Sequence, residues 1–126
     1  MGLPRHVEID VTAHLAGALA DDPVPVVEKL PAKRPDRLVR LIRTDTRPLT
    51  LVTDEAQLTI ECWAPTKAAA WDLGARVYAA MCAMDTDTTW VPRGQRGWVG
   101  GPAYLEDPLT ATPRYVMTAR VRSAKT

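Results

Sequence analysis

The sequence predicts a small single-domain α+β protein, with a mainly antiparallel sheet of about four strands and helices packed on one face. Two segments alternate apolar and polar residues, which is the two-residue period of a half-buried strand. Two other segments repeat apolar residues every three or four positions, which is the helical period. The chain has 126 residues, of which 46% are hydrophobic and 25% charged. Residues 1–126 therefore suffice for one domain with its own core.

The first helix is predicted over residues 6–20. It follows Pro4 and stops at Asp21-Asp22-Pro23. One helical face carries the apolar residues Val7, Val11, Leu15, Ala18 and Leu19. A proline-rich connector follows over 21–36 and contains one short strand candidate, Val24 to Lys29. Because prolines cannot donate to a sheet ladder, we expect this strand at an edge.

A hairpin is predicted over residues 37–64. Its first strand is Arg37 to Arg43, its turn is the polar stretch from Thr44 to Pro48, and its second strand lies within Leu51 to Ala64. The period of two is clearest where Leu58, Ile60 and Cys62 alternate with polar residues or tryptophan. The expected product is a hairpin with a polar tip.

The longest helix is predicted over residues 66–84, with Thr66 as its N-cap. Two of its faces are apolar, one through Leu73 and Val77 and the other through Trp71 and Tyr78. A surface helix normally has one apolar stripe, so this helix should be covered on both sides. In so small a chain, a second subunit is a candidate for the second cover.

A polar, glycine-rich loop is predicted over 85–97, followed by a C-terminal hairpin over 98–122. Gly100, Gly101 and Pro102 interrupt the first of its strands and predict a bulge or a close backbone approach. The second strand, from Tyr115 to Val121, has the cleanest alternation in the chain. Its polar face and its apolar face predict a sheet that is packed on one side only.

The composition excludes most kinds of catalytic site. The chain has one serine, two histidines and two cysteines, and Ser123 lies near the C-terminus, far from both histidines in the first helix. We therefore predict no enzyme, no catalytic residues, no cofactor and no metal site, and expect both thiols to be free and buried. Paired carboxylates such as Asp54/Glu55 are expected at turns. No targeting or membrane-spanning segment is predicted, which favours a cytosolic protein without a membrane partner.

The segment from Lys33 to Arg47 is the strongest charge anomaly, with six cationic residues against two acidic ones. Arg37, Arg40 and Arg43 recur every three residues within it. One interpretation is a nucleic-acid-binding module that neutralises phosphates. The other is a solvated face or an ion-pair face between subunits, which suits arginine equally well.

Three blocks in order carry a family resemblance: LVTDEAQLTIECWAPT (51–66), AAAWDLGARVYAAM (68–81) and GPAYLEDPLTATPRYVMTARVRS (101–123). Their succession resembles the tail terminator proteins of bacteriophages with long, non-contractile tails, particularly those that infect GC-rich actinobacteria. The excess of arginine over lysine and the absence of asparagine and phenylalanine fit such a host.

The resemblance implies a structural virion protein without catalysis. It would form a homohexameric ring at the head-proximal end of the tail, assembled in the host cytoplasm. The implied partners are further copies of itself, the tail tube protein and a neck or head-completion protein, with DNA only passing non-specifically through the ring. Another head-to-tail connector or tail-completion protein is the alternative within this class.

The candidate interface residues combine the resemblance with the residue pattern. They are Trp71 and Tyr78 of the long helix, Trp90 and Trp98 beside the polar loop, and Arg37, Arg40 and Arg43 of the basic segment. The tryptophans have an alternative interpretation as ordinary core residues.

Overall fold

The computed structural model describes residues 2–84 and 97–126, which form one α+β domain. The elements follow in the order α1 (Val7–Ala18), β1 (Val26–Val27), β2 (Leu38–Pro48), β3 (Thr53–Trp63), α2 (Lys67–Cys82), β4 (Gly97–Tyr104) and β5 (Arg114–Ala124). The loop predicted over 85–97 lies outside the described residues except for Gly97, the first residue of β4.

The five strands form one sheet in the order β1-β2-β3-β5-β4. All pairs are antiparallel except β1 with β2, which is parallel. The predicted fold class is confirmed, with four main strands and a fifth of only two residues. That short strand lies at the edge of the sheet, as its prolines predicted.

Both helices pack on the same face of the sheet. The alternate residues of β3 and β5 that face them are fully buried, and the core continues into the apolar face of α1. It contains Val7, Val11, Leu15, Leu19, Val39, Leu41, Leu58, Ile60, Leu73, Val77, Met81, Met117 and Ala119. The predicted apolar positions of the first helix are confirmed, except that Ala18 is exposed.

Helix α2 begins where the sequence predicts. The Thr66 hydroxyl accepts a hydrogen bond from the Ala69 backbone N–H at 3.1 Å, so the predicted N-cap is confirmed. Gly74 faces the sheet, where a Cβ would lie 3.2 Å from the Tyr115 Cβ. The close approach of helix and sheet at this point depends on that missing side chain.

The turn of the β2–β3 hairpin was predicted wrongly. Strand β2 continues through the expected turn to Pro48, and the real turn is Leu49–Val52. Arg47 lies opposite Glu55 and donates to it at 2.8 Å, which stabilises the added length. Thr50 provides the turn chemistry, because its hydroxyl accepts from the backbone N–H groups of Val52 and Thr53.

The glycines of β4 behave as predicted. The β4–β5 register is irregular between Gly100 and Ala103, which confirms the bulge. Gly101 has a φ of +104°, and a Cβ there would lie 3.0 Å from both the Met117 Cβ and the Val116 carbonyl oxygen. Only glycine fits this position without strain.

Candidate interaction surfaces

An aromatic surface lies where α2 crosses the end of β4, and we define it by Trp71, Tyr78, Tyr104 and Leu105. These side chains are 49%, 36%, 38% and 57% exposed, respectively. Trp71 and Tyr104 both pack edge-on against the buried ring of Tyr115, with centroid distances of 5.4 and 5.3 Å. The surface is therefore held in place by the core beneath it.

The two-faced pattern of the long helix explains this surface. Its first apolar face, through Leu73 and Val77, is buried on the sheet. On its second face, Trp71 is about half exposed to water and Tyr78 about one third exposed. The described residues thus cover only one of the two faces that the sequence predicted to be covered.

A second apolar surface is the tip of the β2–β3 hairpin, which we call the apolar tip (Leu49, Leu51 and Val52). Leu51 is 92% exposed and Val52 is 67% exposed. Exposed aliphatic side chains in a tight turn gain nothing from their own fold. The expectation of a polar tip is wrong for this reason: the polar residues Thr44 to Arg47 lie in the strand, and the apolar ones form the turn.

The face of the sheet opposite the helices is charged, and we call it the open sheet face. Two rows of side chains cross it. Each row runs from an arginine of β2, through a buried glutamate of β3, to an arginine of β5. Glu61 accepts from Arg40 Nε at 2.6 Å and from Arg114 Nη1 at 2.8 Å. Glu55 accepts from Arg47 at 2.8 Å and from Arg122 at 3.3 Å. Each row therefore holds two guanidinium groups on one carboxylate.

One end of the open sheet face is organised around Trp63, which is only 3% exposed. The guanidinium carbons of Arg34, Arg40 and Arg114 lie 5.2, 5.7 and 5.7 Å from the centroid of its ring. The Trp63 indole N–H donates to Asp107 at 3.1 Å. The Leu109 backbone N–H, Trp63 and Arg34 all donate to Asp107, and together they lower the pKa of that carboxyl to about 2.

The basic segment does not form one surface. Arg37 makes a bidentate pair with Asp22 at 2.8 and 2.7 Å, and these bonds lower the pKa of Asp22. Arg43 lies on the helix side of the sheet, where it donates to Glu8 at 2.6 Å. Burial raises the pKa of Glu8, but the hydrogen bonds from Arg43, a backbone hydrogen bond and the charges of Arg43 and His6 together outweigh it, so the pKa is lowered. Only Arg40 of the three lies on the open sheet face.

In residues 2–84 and 97–126, neither histidine hydrogen-bonds a serine or a cysteine. The His14 Nε2 lies 2.6 Å from the Ala80 carbonyl oxygen, and the His6 Nε2 lies 3.3 Å from Glu28. Cys62 is buried, and burial together with the charge of Glu61 raises the pKa of its thiol to about 12. The expectation of two buried thiols is wrong for Cys82, which is half-buried.

One group of side chains has the composition of a metal site. His6, Glu8 and Glu28 bring one ligand atom each to within 4.8 Å of the others. Both oxygens of Glu8 already accept hydrogen bonds from Arg43, whose positive charge opposes a cation at that point. The group is therefore explained as the ion-paired contact between α1 and the sheet.

The acidic pair Asp54/Glu55 is placed differently from its prediction at a turn. Asp54 and Glu55 lie within β3 and are 5% and 6% exposed. Glu55 pairs with Arg47 and Arg122 on the open sheet face, and Asp54 pairs with Lys125. Both carboxylates form structural ion pairs across neighbouring strands.

The predicted interface residues are distributed over different sides of the subunit. Trp71 and Tyr78 share the aromatic surface, whereas Trp98 lies on the open sheet face and is 54% exposed. Trp90 lies outside the described residues. Neither the Trp63 cluster nor the apolar tip was predicted from the sequence. Correct strand register would have predicted the first, and correct placement of the turn the second.

Neither a scan against protein-family models nor a search of curated proteins gives a match to this chain. Among the described residues, no helix combines the length and apolar character needed to cross a bilayer.

Proposed function

We propose that this protein is a bacteriophage tail terminator, a structural subunit that forms a ring on the completed tail tube and presents a docking face to the neck of the head. The observation that carries the proposal is the aromatic surface, where Trp71 and Leu105 are about half exposed to water in the described part of the chain. Contiguous exposed apolar surface on a soluble domain marks a contact with another molecule. The three sequence blocks resemble those of tail terminators, and this resemblance suggests that the contact is between subunits of a ring.

The positions of the two apolar surfaces support a ring. A ring needs head-to-tail contacts, in which two different surfaces of each subunit meet. The aromatic surface lies near Tyr115 and the apolar tip near Ala124, at opposite ends of β5. Nine residues of strand separate them, which is about 30 Å. Two separate surfaces of this kind suit a head-to-tail contact better than a two-fold dimer.

The chemistry of the described residues supports a role in assembly rather than catalysis. Neither His6 nor His14 hydrogen-bonds a serine or cysteine within this part of the chain. The Cys62 thiol is buried with its pKa raised to about 12, so it is not a nucleophile near neutral pH. The proposed partners are copies of this chain, the tail tube protein and a neck or head-completion protein.

A nucleic-acid-binding module based on the 33–47 segment is less well supported. Arg34, Arg37, Arg40, Arg43 and Arg47 each form an ion pair with a carboxylate of the same chain. The segment does not form one basic surface, because Arg37 and Arg43 pair with Asp22 and Glu8 away from the open sheet face. A head-to-tail connector at another position of the neck has the same surfaces and is separated from a terminator by its location.

The first experiment measures the mass of the purified protein by light scattering and native mass spectrometry. We expect one discrete multiple of the 13.8 kDa subunit. Trp71→Glu places a charge in the aromatic surface and should give monomers. Ile9→Glu, which alters a 59% exposed residue of α1, is the matched control and should keep the assembly. A wild-type protein that stays monomeric at high micromolar concentration would count against the proposal.

The second experiment locates the protein in particles. Gold-labelled protein should appear at the head-proximal end of the tail, and added protein should stop the growth of tail tubes in vitro. Labelling elsewhere in the neck would instead identify a different connector. Absence from virions would refute both forms of the proposal.

A further inference from the structure

We propose that the open sheet face contacts the phosphates of nucleic acid. The inference rests on the proposed function and deepens it, because it says which side of the subunit faces the DNA that passes through the ring. The supporting observations are the charge of this face, the availability of its arginines and the platform formed by Trp98.

The open sheet face is more positive than the chain as a whole. Its strands carry five arginines against three acidic residues, which leaves a net charge of +2, whereas the whole chain has +1. The residues are Arg40, Arg47, Arg114, Arg120, Arg122, Asp45, Glu55 and Glu61. The rest of the chain therefore sums to −1. A positive face on a nearly neutral chain is complementary to a polyanion.

The two arginines nearest the apolar tip are well exposed to solvent. Arg47 and Arg122 keep 58% and 41% of their side chains exposed while they share Glu55. Each gives that carboxylate a single hydrogen bond, and a guanidinium has five N–H donors. Glu55 thus holds both side chains upright and leaves donors free to bind a phosphate.

Arg120 lies between these rows and is exposed. Its neighbours across the sheet are Gln57 and Trp98, and no carboxylate of the described residues pairs with it. Its guanidinium carbon lies 5.8 Å from the centre of the Trp98 ring. That ring lies across Gly100, where a Cβ would come within 2.4 Å of it, so the glycine lets the indole lie flat on the strand.

This combination favours nucleic acid over an acidic protein segment. The guanidinium fork matches a phosphate, and a flat aromatic ring beside it offers a stacking surface for a base or sugar. Phosphates and sugars are common to all sequences, so contacts with them do not read a base sequence. We therefore expect binding that is independent of sequence and sensitive to salt.

The test is fluorescence anisotropy with a fluorescein-labelled 30-base-pair DNA duplex and the full-length protein. If three arginines neutralise three phosphates, the logarithm of affinity should fall with the logarithm of salt concentration with a slope of about −2.7 per subunit. Arg120→Glu should weaken binding about tenfold and reduce that slope by about 1. Lys67→Glu makes the same charge change at an exposed lysine of α2, on the helix side of the sheet, and should bind like wild type.

Three results would overturn the inference. The first is that Arg120→Glu and Lys67→Glu bind alike. The second is that binding does not change with salt. The third is that polyglutamate of equal total charge competes as well as unlabelled duplex.

Mass measurements on the same samples keep this inference distinct from the proposed function. A ring of wild-type mass without affinity for the duplex refutes the DNA contact and leaves the assembly role intact. A monomer that binds the duplex through Arg120 refutes the ring and leaves the sheet-face contact intact.

Discussion

Replacing Asp107 by asparagine should loosen the turn that joins β4 to β5. The carboxylate accepts from the Leu109 backbone N–H at 2.9 Å, from the Trp63 indole at 3.1 Å and from Arg34 at 3.4 Å. An asparagine oxygen can keep the bond from Leu109. Its amide N–H groups would then face the N–H groups of Trp63 and Arg34, which leaves the buried indole donor unsatisfied.

The size of the effect follows from the hydrogen bonds and from the pKa. The Asp107 pKa of about 2, against an ordinary 3.8, corresponds to about 2 kcal/mol for a fully shielded group. Arg34 keeps 26% of its side chain in water, so we expect about 1–2 kcal/mol from the charge. A folded-state pKa below the unfolded one stabilises the fold above about pH 4. That contribution is lost as the pH falls towards 2.

Urea unfolding followed by tryptophan fluorescence measures this loss. At pH 7 we expect the midpoint of Asp107→Asn to fall by about 1 M, and the gap from wild type to shrink to about half by pH 3. Glu106→Gln removes a neighbouring exposed charge and should unfold like wild type. The reasoning is refuted if the two variants unfold together at pH 7, or if the gap at pH 3 is as wide as at pH 7.

Three further predictions concern other parts of the fold. Glu61→Ala leaves Arg40 and Arg114 without their shared carboxylate and should cost about 3 kcal/mol in urea unfolding, and a loss below 1 kcal/mol would contradict the buried row. Thr66→Ala should cost about 1 kcal/mol by thermal unfolding, whereas Thr66→Ser, which keeps the capping hydroxyl, should be nearly neutral; equal losses would argue against the cap. A thiol reagent at pH 8 should modify Cys82 well before Cys62, since burial raises the Cys62 pKa to about 12, and equal rates would disprove this difference.

Local patterns predicted most of the fold. The helical period of Val7, Val11 and Leu15, the cap at Thr66 and the alternation around Met117 each depend on neighbours within a few residues. Such signals are written into short stretches of chain, because periodicity and capping are local. The edge position of the first strand followed in the same way from its prolines.

The hairpin turn shows where local reasoning fails. Thr44 to Pro48 has the composition of a turn, yet Asp45 to Pro48 pairs with Asp54 to Gln57 because the cross-strand bonds of β2 and β3 outweigh local preference. Moving the turn to Leu49–Val52 changes the tip from polar to apolar. An exposed apolar surface was therefore missed through an error of about five residues.

By itself, the sequence determined the α+β class, the order of the helices and main strands, and the presence of one helix with two apolar faces. Only the tertiary structure decided which of those faces stays exposed and which carboxylate each arginine meets. Arg37, Arg40 and Arg43 look equivalent in the sequence, but they end on different sides of the subunit. Their partners, Asp22, Glu61 and Glu8, are distant in the chain, and only strand pairing and helix packing bring each pair together. Spacing along the sequence therefore could not predict which arginines are neutralised by a carboxylate and on which side of the subunit they lie.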